Sequence, residues 1–302
     1  MSAPAAPPPP HPPLPGLQAV AYMLAATVIG LSQGLQQGFV STSLPQLAGD
    51  LGITTTSAAW LLAVYMIPRA ALPVLLIKIR TQYGLRRFAE LGIILYALVA
   101  LASLWAVDFR SALVLQFLAG AAAAPLSTLA FLYMLEPLSP QAKMTLGLPL
   151  AMTVLMTGPT LARVVGPYLI GDGGMTAVHV TGLGMALVSL MLVFCLPLRP
   201  IPRQKVIEPL DFASFVLIGA GFGGLIVAFV MGPIYNWTDV AWIGWLLAGA
   251  ALSLTLAVVV ELNRTAPLLD IRWLASPAIL HLTGTLFLFR LILSEQSAGA
   301  PR

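Results

Sequence analysis

Of the 302 residues, 59% are hydrophobic and only 9% are charged, against about 25% charged in an ordinary soluble domain, which excludes a water-facing globular fold. The net charge of +4 comes from bases scattered over short breaks between apolar runs, a positive-inside distribution and not a nucleic-acid-binding face. The one cysteine, Cys195, sits in an apolar run as a small hydrophobe, which excludes an intrachain disulfide.

Residues 1–16 are rich in proline and alanine, lack the basic start and cleavage site of a removable signal peptide, and read as a disordered extension. Apolar runs then follow in series. A run of about 20 residues crosses roughly 30 Å of hydrocarbon. Backbone groups in lipid must bond internally, so these runs are expected to be helices, and the period-two alternation of a barrel is not seen. The expected spans are Leu17–Val40, Ser57–Ile77, Phe88–Ala106, Ser111–Leu135, Met144–Ile170, Thr176–Leu196, Phe212–Met231 and Ala241–Glu261, with a ninth from about Ala278. A charged, proline-containing stretch at 198–211 closes the six-span unit 17–197. A pair of spans fills 212–261, an amphipathic connection 262–277, and the start of a further bundle 278–302.

Bases mark alternate breaks: Lys78, Arg80, Arg86 and Arg87; Lys143; Arg199, Arg203 and Lys205; Arg264 and Arg272. The opposite breaks hold Arg110 with Asp50, Asp108, Asp172 and Asp239. The basic breaks therefore read as cytoplasmic, which puts the amino terminus inside and the protein in the cell (inner) membrane.

The run Ser43-Leu44-Pro45-Gln46-Leu47, then Asp50-Leu51-Gly52, Ala59-Trp60 and Tyr65, resembles the junction of the first two spans in the major facilitator superfamily. More narrowly it is similar to the 14-helix drug-efflux branch, in which two extra helices join two six-helix bundles. The resemblance implies an all-α integral membrane protein: a six-helix amino-terminal bundle, two linker helices and an incomplete ninth helix. It implies a drug/proton antiporter and, in a Gram-negative host, a periplasmic adaptor protein as partner. Several signatures of the family are altered. The loop after the second span keeps Gly84 and Arg86 but has Thr81 where an aspartate latches the inner gate. The buried arginine of the fourth span is replaced by Gln116, four residues before Gly120. The fifth-span antiporter motif survives mainly as Gly166-Pro167, and the acid that the first span brings to the cavity is replaced by the amides Gln33, Gln36 and Gln37.

Gly30, Gly34 and Gly38 share one face and read as a close helix contact. Gln33 and Gln37 share another face and either line a wet cavity or hydrogen-bond helices together; Gln36 points elsewhere and is the weaker candidate. Arg69 lies nine residues before Lys78, about 13 Å from the expected cytoplasmic end at 1.5 Å per residue. At that depth it is expected to face a cavity, the alternative being hydrogen bonds to carbonyls freed by Pro68 and Pro73. Arg163, between Gly158-Pro159 and Gly166-Pro167, and Arg290, followed by Glu295 and Gln296, are further substrate candidates. The two Gly-Pro pairs, Pro125 and the glycines of the seventh span read as hinges or as static kinks.

The first six spans hold no central carboxylate. Proton coupling is therefore expected from Glu295 or from residues beyond this chain, and the deep arginines favour a neutral or anionic substrate. The leading reading is a secondary transporter exporting small molecules. A non-transporting membrane fragment is the alternative; an intramembrane enzyme is disfavoured, since His11, His179 and His281 accompany no nucleophile elbow or metal spacing. No metal or cofactor is expected. Eight spans and part of a ninth fall short of 14, so the chain reads as truncated, or as assembling with a separate carboxy-terminal half or a second copy.

Overall fold

The computed structural model describes residues 14–298 apart from 201 and 238; of the side chains in that range, those of 172, 290 and 293–298 are not described. The expected disordered extension thus lies largely outside the described residues. The structure consists of helices: α1 (Gly16–Thr42), α2 (Leu44–Asp50), α3 (Thr55–Tyr83), α4 (Leu85–Ala102), α5 (Phe109–Leu135), α6 (Pro140–Gly171), α7 (Gly173–Cys195), α8 (Pro209–Met231), α9 (Ala241–Leu262), α10 (Ile271–Leu274) and α11 (Pro277–Ala298). Eight of them are long and apolar enough to cross a membrane. The protein is a multi-pass membrane protein, as the hydropathy predicts.

Local chemistry sets the ends. Asp108 and Ser111 form a reciprocal capping box at the start of α5, satisfying backbone donors on both sides. Thr54 caps α3 through Ser57 N at 3.2 Å. The second span was expected to stop at Ile77, but α3 runs on to Tyr83 because nothing breaks it before Gly84, whose φ of 90° ends the helix. The expected loop between the fifth and sixth spans is reduced to a kink at Gly174, at φ 61° and ψ −160°. The 262–277 connection holds only the single turn α10. Near Lys143–Gly147, α6 relaxes into a π-helical turn.

One main core joins α1, α3, α4, α5, α6 and α7 around Tyr65, Tyr96 and Tyr133, each fully buried. The glycine stripe of α1 meets α6. A Cβ at Gly34 would lie 2.7 Å from Gly158 Cα, and one at Gly30 2.8 Å from Val154, so only glycine lets these backbones approach so closely. Helix α8 packs on α3, through Val227 and Met231 against Ala59 and Ala63, and α9 packs on α8. At that end Trp60 stacks on Trp242, with ring centroids 6.4 Å apart, and Tyr235 meets Trp242 edge-on, an aromatic group of the kind that marks a membrane interface. Large apolar side chains such as Leu91, Phe194, Val216 and Phe229 face outward, as lipid-facing positions require.

Candidate functional site: a polar cavity and a charged clamp

The polar residues of α1 divide between two surroundings. Gln33 is buried and accepts a hydrogen bond from Ser127 Oγ at 2.9 Å, while its Nε2 is buried without a partner. Its role here is to join α1 to α5. Gln37 is half-buried and does not line the cavity described next. Gln36, the weaker candidate on helical spacing, does line it, because α4, α5 and α7 close around that side of α1.

This cavity is bounded by Gln36, Phe39 and Ser43 from the end of α1, Tyr96 and Ser103 from α4, Gln116 from α5 and His179 from α7. It admits the centres of water-sized spheres over about 60 Å³, and one water needs about 10–15 Å³. Gln36 Oε1, Ser43 Oγ and Gln116 Oε1 are buried and lack hydrogen-bond partners. Tyr96 forms the floor, its hydroxyl donating to the Ser32 carbonyl at 3.1 Å and lying 3.1 Å from Ser32 Oγ. Helical spacing on one chain segment cannot show this convergence, since the cavity draws its polar groups from four helices.

Arg69 is half-buried and donates to the Tyr65 hydroxyl at 3.3 Å, its guanidinium carbon 5.7 Å from the Tyr65 ring centroid. Tyr65 is held in turn by α5: a Cβ at Gly120 would collide with the Tyr65 carbonyl oxygen. Arg163 is exposed on α6, on the same side as Thr153, Thr157 and Thr160, whose hydroxyls bond back to carbonyls of their own helix. Arg69, Arg163 and the cavity amides therefore do not form one cluster. The side chains of Arg290, Glu295 and Gln296 lie outside the described residues. Gly158-Pro159 sits in the α1–α6 contact, and Gly166 faces Phe39 and Thr42; both Gly-Pro pairs lie within helical backbone.

The second polar centre was not anticipated. Lys78 and Arg264, read from sequence as loop bases, are buried ion-pair partners. Lys78 Nζ lies 2.7 Å from Asp211 Oδ1 and donates to the Ala266 carbonyl at 2.9 Å. Arg264 Nη2 lies 2.7 Å from the same Asp211 oxygen and 2.8 Å from Glu208, and its Nη1 3.3 Å from Glu261. The side chains of Asp211, Glu261 and Arg264 are 0%, 1% and 5% exposed. Burial opposes the charge on Arg264, yet the hydrogen-bonded carboxylates of Glu208 and Asp211, with Glu261 beside them, hold its guanidinium above the ordinary value. Glu261 also accepts the Leu268 and Leu269 amides. The linker adds main-chain contacts: Val206 N and Ile207 N donate to Gln82 Oε1 at 3.3 and 3.0 Å, and Gln204 N to the Thr81 carbonyl at 3.3 Å. Arg203 lies against Gly84, and Arg86 pairs with Glu90 at 2.8 Å. The end of α3 is thus strapped by the chain's own linker, at Thr81 and Gln82, where the family resemblance led a latching acid to be expected. The one local signal in the sequence was Glu261, three residues before Arg264; nothing near Lys78 in the chain pointed to Asp211. Among the described residues no group of three or more His, Cys, Asp or Glu side chains comes together to hold a metal.

Residues 23–295 match the family model described as Major Facilitator Superfamily. This chain belongs to that superfamily. Among curated major facilitator proteins it is 26% identical over 254 residues to the multidrug resistance protein Stp of Mycobacterium tuberculosis, covering 82% of this chain and 46% of Stp. It is 24% identical over 267 residues to the multidrug export protein EmrB of Escherichia coli, covering 85% of this chain and 50% of EmrB. The fatty acid resistance protein FarB of Neisseria gonorrhoeae is 23% identical, with 85% and 51% covered. The chain spans about half the length of these relatives. The major facilitator fold is also that of the POT family transporter PepTSo, at TM-score 0.55 and 14% identity over 82% of this chain and 55% of that one. The proton:xylose symporter XylE gives 0.52 and 12%, over 81% and 52%.

Proposed function

We propose that this chain forms the leading half of a secondary active transporter that exports small molecules by alternating access. The family and the multidrug relatives support transport, and the coverage of about half of each relative supports a partner half. The observation that carries the reading is α6: one side packs tightly on α1, while the other presents Thr153, Thr157, Thr160 and Arg163 to the outside. A purely lipid-facing surface does not carry arginine without cost; a surface lining a pathway between two halves does. The second half is a carboxy-terminal bundle or a second copy of the chain. The distribution of bases supports an amino terminus on the cytoplasmic side, and the multidrug relatives support insertion in the inner membrane. Arg69 and Arg163 favour a neutral or anionic substrate.

The test is dye accumulation in export-deficient cells expressing the chain alone or together with its downstream reading frame, using neutral, anionic and cationic dyes. Export of the neutral or anionic dyes by the completed protein, lost in Arg163→Ala, is the expected result. Equal accumulation with and without the completed protein would sink the transporter reading.

A further inference from the structure

The cavity between α1, α4, α5 and α7 carries more polar chemistry than packing calls for. Gln36 Oε1, Ser43 Oγ and Gln116 Oε1, three buried polar atoms without hydrogen-bond partners, all belong to its wall. Such atoms are normally satisfied, and leaving them unmet is unfavourable. All three are able to accept, so together they call for a guest that donates. Besides the Ser43 hydroxyl, which donates as well as accepts, and the amide N–H groups, the wall contains one group that gains a donor by taking up a proton. His179 is a lining residue, half-buried on α7, and a protonated imidazole donates through both ring nitrogens.

We propose that this cavity is a proton-binding site, in which His179 takes up a proton and its imidazolium N–H groups donate to Gln36 and Gln116, directly or through cavity water. The only bond formed is N–H; the proton comes from the aqueous phase and returns to it. The amides cannot titrate, so the proton stays on the histidine. No lining residue carries a formal charge that would oppose it. The lining residues contributed by α1, α2 and α5 are uncharged, and the other titratable lining group, Tyr96 of α4, already has its hydroxyl engaged with Ser32. Asp50, three residues beyond the lining Leu47, is exposed, and Arg110 lines a separate groove with Trp105 and Val114. The site places an acid–base group inside a bundle that has no central carboxylate. Its use in coupling rests on the transporter reading, whereas the binding of the proton does not.

The experiment is an NMR titration of the 302-residue chain in lipid nanodiscs with ¹⁵N-labelled histidine, in which His179→Gln identifies the His179 signal against those of His11 and His281. The expected result is a His179 midpoint that falls by about one unit, a tenfold loss of proton affinity, in Gln36→Leu/Gln116→Leu, with His281 unmoved. Circular dichroism and the thermal midpoint establish that the variant is folded; if it is not, Gln116→Leu alone is used and a smaller fall in the same direction is required. A His179 signal that does not titrate between roughly pH 4 and 9, or that keeps its midpoint in the folded variant, overturns the proposal. No transport measurement enters, so failure here is distinct from failure of the export assay.

Discussion

Single side chains in this bundle are held by contacts that leave little room. Gly120 is the sharpest case, because a methyl group there would collide with the Tyr65 carbonyl oxygen. Gly120→Ala is expected to cost about 1–3 kcal/mol, the usual range for overpacking, measured as a lower denaturation midpoint in detergent. An unchanged midpoint would show that α3 and α5 are less closely seated than described. Tyr65 also anchors Arg69. Tyr65→Phe removes the hydroxyl that accepts from the guanidinium at 3.3 Å but keeps the ring beneath it, so Arg69 is freed at modest cost, about 0.5–1.5 kcal/mol. At Gly84, φ is 90°, a conformation L residues avoid, and Gly84→Ala is expected to cost about 1 kcal/mol or more. A stabilised Gly84→Ala chain would contradict the turn geometry.

Between elements, two devices do the joining, and they differ in kind. The α1–α6 contact is made by absence of side chains, with Gly34 on Gly158. Gly34→Leu is expected to separate the helices and to disturb Leu35 and Phe39, which pack with Ala162. Cysteine cross-linking between α1 and α6 would register the separation as lost yield. The α3–α8–α9 junction is made by charge. Removing one member of a buried pair leaves the other uncompensated, at about 3–5 kcal/mol, so Lys78→Met is expected to loosen α8 and α9 from α3. Hydrogen exchange at 203–211 reports this directly. Protection in Lys78→Met equal to that of the parent chain would show that the main-chain contacts to Gln82 hold the strap unaided.

At the scale of the whole molecule, the strap makes α8 and α9 part of the body formed by the first six spans, so the pair is expected to move with that body when a second half is present. Distance measurements between spin labels on α3 and α9 test this: a constant distance with and without the downstream half is the expected outcome, and a change of several ångströms contradicts it. The long, exposed apolar surfaces of α9 and α11 are consistent with contact to lipid and to a further bundle. Amino-terminal tags accessible only in inside-out vesicles are expected from the distribution of bases.

The sequence by itself determined that this protein crosses a membrane repeatedly, because hydropathy and span length are local, additive properties of the chain. It also determined the family, through the Ser43–Tyr65 motif, and the close contact promised by the α1 glycines, because four-residue spacing is a helical property. Only the tertiary structure decided that Gln36, and not Gln37, reaches a cavity beside Gln116 and His179, since that convergence depends on how four helices turn about their own axes. It also decided that Lys78 and Arg264 are buried partners and not solvated loop bases. A polar side chain in sequence has a chemistry and a place, but its partners come from elsewhere in the chain: Asp211 for Lys78, Glu208 and Asp211 for Arg264, and the linker amides for Gln82.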